Sequence, residues 1–222
     1  MKKIRLKNYR KFVYSLRFGI ELESEFPEKV DIDLLRTRYR KLLNSWTVVT
    51  DASMNNGLEF KPADKNRLYF DKESFAEISE VLHIIRKHKG EVDGKKCGLH
   101  IHIDAKRMSN EEILKIIKET MAKQKFLIRD FKVSKERLEQ YCRPLTKKSM
   151  KGVNVDSLKE FREGTYSNVP MFSDKYFLLN VSAYAEHKTL EFRLFNGTKN
   201  LRDIKKILKY LYEFLINALE RE

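Results

Sequence analysis

Proline and glycine are scarce in this chain of 222 residues, at 4 and 8, and no stretch reads as a flexible or proline-rich linker. That scarcity favours one domain over 1–222, and the length is ample for a sizeable core. Cysteine is scarcer still. Cys97 and Cys142 are too few for a disulfide scaffold, and each is expected to serve as a small buried hydrophobe. No apolar run approaches the length of a membrane span. The basic start, Met1-Lys2-Lys3-Ile4-Arg5-Leu6-Lys7, leads into no apolar signal core. The expected compartment is therefore the reducing cytoplasm.

What is abundant is apolar and basic. A hydrophobic fraction of 41% with 11% aromatics excludes a disordered chain. Lys and Arg outnumber Asp and Glu by 46 to 32, a net charge of +14. Such a charge attracts nucleic acid, anionic membranes, nucleotides or acidic substrates. The cations are spread along the whole chain with no arginine-rich block, so most are expected on a solvated surface and a dedicated nucleic-acid arm is not favoured.

Period-two alternation marks strands at Phe18–Glu25, from Trp46 to Ser53, from Leu58 to a stop at Pro62, and at Cys97–Asp104. Asn55-Asn56-Gly57 supplies a turn between the second and third. Tyr176–Ser182 and Thr189–Phe195 read as a closing hairpin, with a loop through Glu186-His187-Lys188. Helical periods cover Asp31–Ser45, Lys72–Lys89, a segment from the Ser109 cap to about Asp130, and Leu201–Leu219. From Lys147 to Asp174 the pattern weakens, and a partly ordered loop with a short helix near 156–162 is expected. The fold class is α+β, with a mostly antiparallel sheet and helices packed on one face.

Three strands share one feature. Phe18, Ile20 and Leu22 oppose Glu21, Glu23 and Glu25; Leu99, Ile101 and Ile103 oppose His100 and His102; Leu190, Phe192 and Leu194 oppose Glu191 and Arg193. Each apolar side can pack on helices, so each polar side must meet solvent, ligand or metal. A solvated sheet face explains any one strand alone. In combination the residue types point elsewhere. Glu-x-Glu sets two like charges about 7 Å apart on one face, which is unfavourable without a cation between them. His-x-His offers two imidazoles to one metal. Carboxylates with one or two imidazoles suit Mg²⁺ or Mn²⁺ where phosphate oxygens complete the shell. Arg193 would then stabilise phosphoryl charge, or else simply pair with Glu23 or Glu191. Two alternatives stay open: a zinc or iron site of cupin-like or hydrolytic type on the His-x-His strand, and a basic nucleic-acid-binding protein without catalysis.

Phe18-Gly19-Ile20-Glu21-Leu22-Glu23, Asp51-Ala52-Ser53 with Gly57-Leu58-Glu59-Phe60-Lys61-Pro62, Cys97-Gly98-Leu99-His100-Ile101-His102 and Thr189-Leu190-Glu191-Phe192-Arg193 occur in that order. Together with Tyr141-Cys142-Arg143, this series resembles the amidoligase family, which is related to glutamine synthetase and glutamate–cysteine ligase. The resemblance implies a curved sheet like that of the glutamine synthetase catalytic domain, with the active site on the face away from the helices. It implies metal ligands at Glu21, Glu23, Glu59, His100 and Glu191. It places His100, Arg143, Arg193 and Lys61 on the nucleotide, and Arg193, Glu191 and His102 in catalysis. The implied reaction uses ATP and Mg²⁺ (or Mn²⁺) to join a small-molecule or peptide carboxylate to an amine through an acyl phosphate. An acidic polymer or protein tail as substrate would also suit the basic surface.

Overall fold

The computed structural model describes residues 8–64, 67–92, 96–165 and 168–221; the basic stretch Met1–Lys7 lies outside the described residues. The chain opens with α1 (Tyr9–Tyr14), β1 (Phe18–Glu25), α2 (Ile32–Arg38), α3 (Arg40–Leu43), β2 (Trp46–Asp51) and β3 (Gly57–Pro62). It continues through α4 (Lys72–Lys87), β4 (Gly98–Asp104), α5 (Asn110–Asp130), α6 (Lys135–Gln140), α7 (Val155–Arg162) and α8 (Pro170–Ser173). It closes with β5 (Leu179–Asn180), α9 (Ala183–His187), β6 (Thr189–Asn196) and α10 (Leu201–Glu220).

The strands form one open sheet in the order β2-β3-β1-β4-β6-β5, with every neighbouring pair antiparallel. Its apolar side carries the alternate residues expected of it: Phe18, Ile20, Leu22, Leu99, Ile101, Ile103, Leu190 and Phe192 are all buried. They share one core with α4, α5 and α10. The stripe Ile204, Leu208, Leu211, Leu215 and Leu219 turns α10 inward, and Phe214 meets Phe192 edge-on with ring centroids 6.3 Å apart. Each large side chain so buried contributes roughly 1.5–3 kcal/mol. Ser109 and Glu112 close a capping box at the start of α5, as the sequence predicts.

The structure departs from the sequence-based expectation at several points. The helix expected over 31–45 divides at Tyr39, which leaves helical geometry (φ −112°, ψ 31°). The weak-period stretch 147–174 holds the short helix expected near 156–162, as α7, but also α8, and α1 and α6 have no counterpart among the expected helices. The strand expected over 176–182 shrinks to two residues, because Asn180 turns the chain. Its Oδ1 accepts from Ser182 Oγ at 2.6 Å and from the Ala183 backbone at 3.3 Å, which leads into α9 where only a loop was expected. Lys188, in the left-handed region at φ 57°, closes that helix.

The alternation along β6 also breaks. Leu99 pairs with Phe195 but Ile101 pairs with Phe192, so Arg193 and Leu194 together oppose His100. This is a β-bulge, an extra residue that bends the strand and re-aims its side chains. Leu194 therefore does not continue the face of Leu190 and Phe192.

Candidate active site

The pleat and register bring the polar residues together. Glu21 lies opposite His100, Glu23 opposite Glu59, His102 opposite Glu191, and Glu191 opposite Asn180. A charged or imidazole side chain thus has another across the β3–β1, β1–β4 and β4–β6 gaps, and an amide across the β6–β5 gap. This second face is not a solvated one. Glu21, Glu23, His100, His102, Asn180 and Glu191 are all buried, covered by α6, the segment around Tyr141 and Tyr176, and α9. The half-open cavity that they line is about 430 Å³, within the range of small-ligand sites.

The imidazoles sit among the carboxylates. His100 Nδ1 is 3.0 Å from Glu21 Oε2 and 3.4 Å from Glu191 Oε1, and its Nε2 is 3.6 Å from Glu23 Oε1. His102 Nδ1 lies 2.9 Å from Thr189 Oγ1, which orients the ring. His102 Nε2 is buried without a hydrogen-bond partner, 3.2 Å from Glu21 Oε1 and 4.0 Å from Glu191 Oε1. Glu21, His102 and Glu191 each offer a ligand atom, all within 4.8 Å of one another. This is the group among the described residues that can hold a metal ion, and it includes His102, which the resemblance assigns to catalysis.

The remaining carboxylates are held from outside. The Gly98 backbone donates to Glu23 Oε2 at 2.5 Å. Asn180 Nδ2 donates to Glu191 Oε2 at 2.5 Å, and Arg193 Nη1 to Glu191 Oε1 at 2.6 Å. The pairing of Arg193 with Glu191 foreseen as its simpler role is therefore present. Lys61 Nζ donates to Glu59 Oε1 at 2.5 Å. Gly98 is required by close approach: a Cβ there would stand 2.7 Å from both Arg137 Nη2 and His100 Nε2, and 3.0 Å from Glu23 Oε2.

Ionisation follows from this arrangement. Burial would raise the Glu21 carboxyl, yet His100 and His102 hold it well below the usual carboxylate range. Glu191 is lowered too, since His102, Arg193 and His100 overcome its burial. Burial and Arg193 oppose protonation of His100, but Glu23, Glu21 and Glu191 push it above its ordinary value. Glu59 runs the other way. Burial and the Glu21 charge raise its carboxyl despite the adjacent Lys61 ammonium.

Eight of the sequence-based candidates, Glu21, Glu23, Glu59, Lys61, His100, His102, Glu191 and Arg193, line this one cavity. Arg143 does not: it is exposed, pairs with the Asp174 carboxylate, and lies outside the lining. Sequence reasoning missed Asn180, Thr189, Tyr141 and Arg137. Asn180 carried a signal, as a lone amide in an apolar run. Arg137 carried none, being one basic residue among 46.

A family model described as "Putative amidoligase enzyme" matches residues 14–214. No curated protein matches the sequence.

Proposed function

The chain belongs to the amidoligase family, which points to an amide-bond ligase, and we propose that it is an ATP-dependent carboxylate–amine ligase working through an acyl phosphate. The observation that carries this reading is the convergence of Glu21, Glu23, Glu59, His100, His102, Glu191 and Arg193, from four adjacent strands, on one cavity.

The residues fit a divalent cation. The buried His102 Nε2, which makes no well-formed hydrogen bond though it stands 3.2 Å from Glu21 Oε1, forms a donor set for one ion with the Glu21 and Glu191 carboxylates, and Glu23 and Glu59 supply further hard oxygen ligands. Glu21, His102 and Glu191 would hold one ion, with Glu23, Glu59 and His100 available to a second. Bound Mg²⁺ or Mn²⁺ supplies neutralisation of triphosphate charge.

The protein's own groups account for the rest. Arg193 stands at the cavity wall, anchored to Glu191 and facing the ring of Tyr176 at 6.0 Å. There it offers guanidinium donors to the phosphoryl group as a substrate carboxylate oxygen attacks phosphorus and ADP departs. The amine nitrogen then attacks the acyl carbon, loses a proton, and expels inorganic phosphate. Lys61, paired with Glu59, limits repulsion between that carboxylate and Glu21.

A second reading, a transition-metal enzyme without ATP, is favoured by one observation: the tight triad contains an imidazole, a ligand that suits zinc and iron. One experiment separates the two. Melting temperature is measured with Mg²⁺ and a non-hydrolysable ATP analogue, for wild type and Glu21→Ala. The ligase reading expects a rise of several degrees in wild type, dependent on metal and nucleotide together, and none in Glu21→Ala. Stabilisation by Zn²⁺ alone, or no response to either ligand, would sink it.

A further inference from the structure

Arg137 is buried to 0% exposure, on a chain with no shortage of surface for cations. Among the described residues no carboxylate forms an ion pair with it. Its Nη1 donates to the Lys96 carbonyl at 3.2 Å and its Nη2 to the Arg193 carbonyl at 3.1 Å, while Nε has no partner. Taking an unpaired guanidinium out of water is costly. Two main-chain carbonyls can be satisfied by neutral donors at far smaller cost. The charge and the fork shape of this side chain therefore need a further reason.

The contacts supply one. Arg137 bonds the carbonyl of Arg193 within the β6 bulge. Arg193 in turn directs its Nε at the Tyr141 carbonyl, 3.4 Å away, and the Tyr141 amide closes back on the Arg137 carbonyl at 2.8 Å. The main chain of Arg193 is held by one end of this short segment and its side chain by the other. The second arm of Arg137 ties the same segment to Lys96, at the entrance to β4, where Gly98 leaves room for it beside His100 and Glu23.

We propose that Arg137 is a positioning residue: it clamps the β6 bulge so that Arg193 is aimed into the cavity. This rests on the ligase reading, in which Arg193 meets the phosphoryl group. A bulge left without its brace has two backbone groups to satisfy elsewhere and a freer Arg193. A planar fork can reach both carbonyls at once, whereas a lysine ammonium on one flexible stem cannot hold that geometry.

The test compares affinity for a non-hydrolysable ATP analogue with Mg²⁺, by calorimetry, in wild type, Arg137→Lys, Arg193→Lys and the double variant. Arg137→Lys is expected to weaken binding by roughly 10–100-fold, as loss of an orienting partner does at such sites. The double variant should bind no more weakly than Arg193→Lys alone, since both act through one group. A structural brace alone would lower the melting temperature without that non-additivity. Wild-type affinity in Arg137→Lys, or additive losses in the double variant, would overturn the proposal. If Arg137→Lys does not fold, Arg137→Gln, which keeps one donor and removes the charge, carries the same comparison. A wild type that binds no analogue overturns both this inference and the ligase reading; a wild type that binds, with Arg137→Lys unchanged, overturns this inference alone.

Discussion

The two faces of the sheet are both withdrawn from water, but to different degrees and by opposite means. On one, Ile20, Leu22, Leu99, Ile101, Ile103 and Phe192 pack against α4, α5 and α10, and burial is itself the stabilising force. On the other, Glu21, Glu23, His100, His102 and Glu191 are buried too. There burial costs free energy that pairing only partly offsets. One face holds the molecule together, while the other is held together by it.

The sharpest way to separate them is to damage the first alone. Phe192→Ala removes a buried ring one residue from Glu191 and should cost about 3–5 kcal/mol in urea unfolding. Metal and nucleotide affinity of the folded protein should change little. A large affinity loss at modest destabilisation would show that the faces are not independent.

Gly98→Ala strikes where the faces meet. Its added methyl must displace Arg137, His100 or Glu23, and overpacking of this kind costs about 1–3 kcal/mol. The metal-dependent rise in melting temperature should shrink at the same time. Normal metal response in a folded Gly98→Ala protein would contradict the distances around that residue.

The smallest effect tests the sign of the second face. Glu59 has a raised pKa from burial and Glu21. Its contribution to stability is therefore present below the unfolded carboxylate pKa and lost as pH rises through the folded value. In metal-free protein, wild type should lose stability relative to Glu59→Gln as pH rises above the ordinary carboxylate value of about 4. Melting temperatures across that range check it; a difference moving the other way would mean that Lys61 wins.

Much of the first face was legible in the residues themselves. The alternation in Phe18–Glu25 and Gly98–Asp104, the Ser109 cap and the stripe on α10 are local patterns, written within a few residues of where they act. The polar face was legible by type, since Glu-x-Glu, His-x-His and Glu-x-Arg are poor choices for a solvated sheet. Its partners were not. Asn180 reads as part of a strand until its side chain is seen to turn the chain. Arg137 is invisible among the other basic residues because its role depends on a bulge 56 positions away.

Eight of the carboxylate, imidazole and cationic side chains that line the cavity were determined by sequence alone, because a two-residue period commits every second side chain to one face. Tertiary structure decided what that face became. Register placed both His100 and His102 within 4.0 Å of Glu21 and Glu191, and the bulge turned Leu194 off the face of Leu190 and Phe192. The cover from α6 and α9 turned a flat charged surface into a half-open cavity. Register, bulge and cover arise from contacts between segments far apart in the chain, which no local period records.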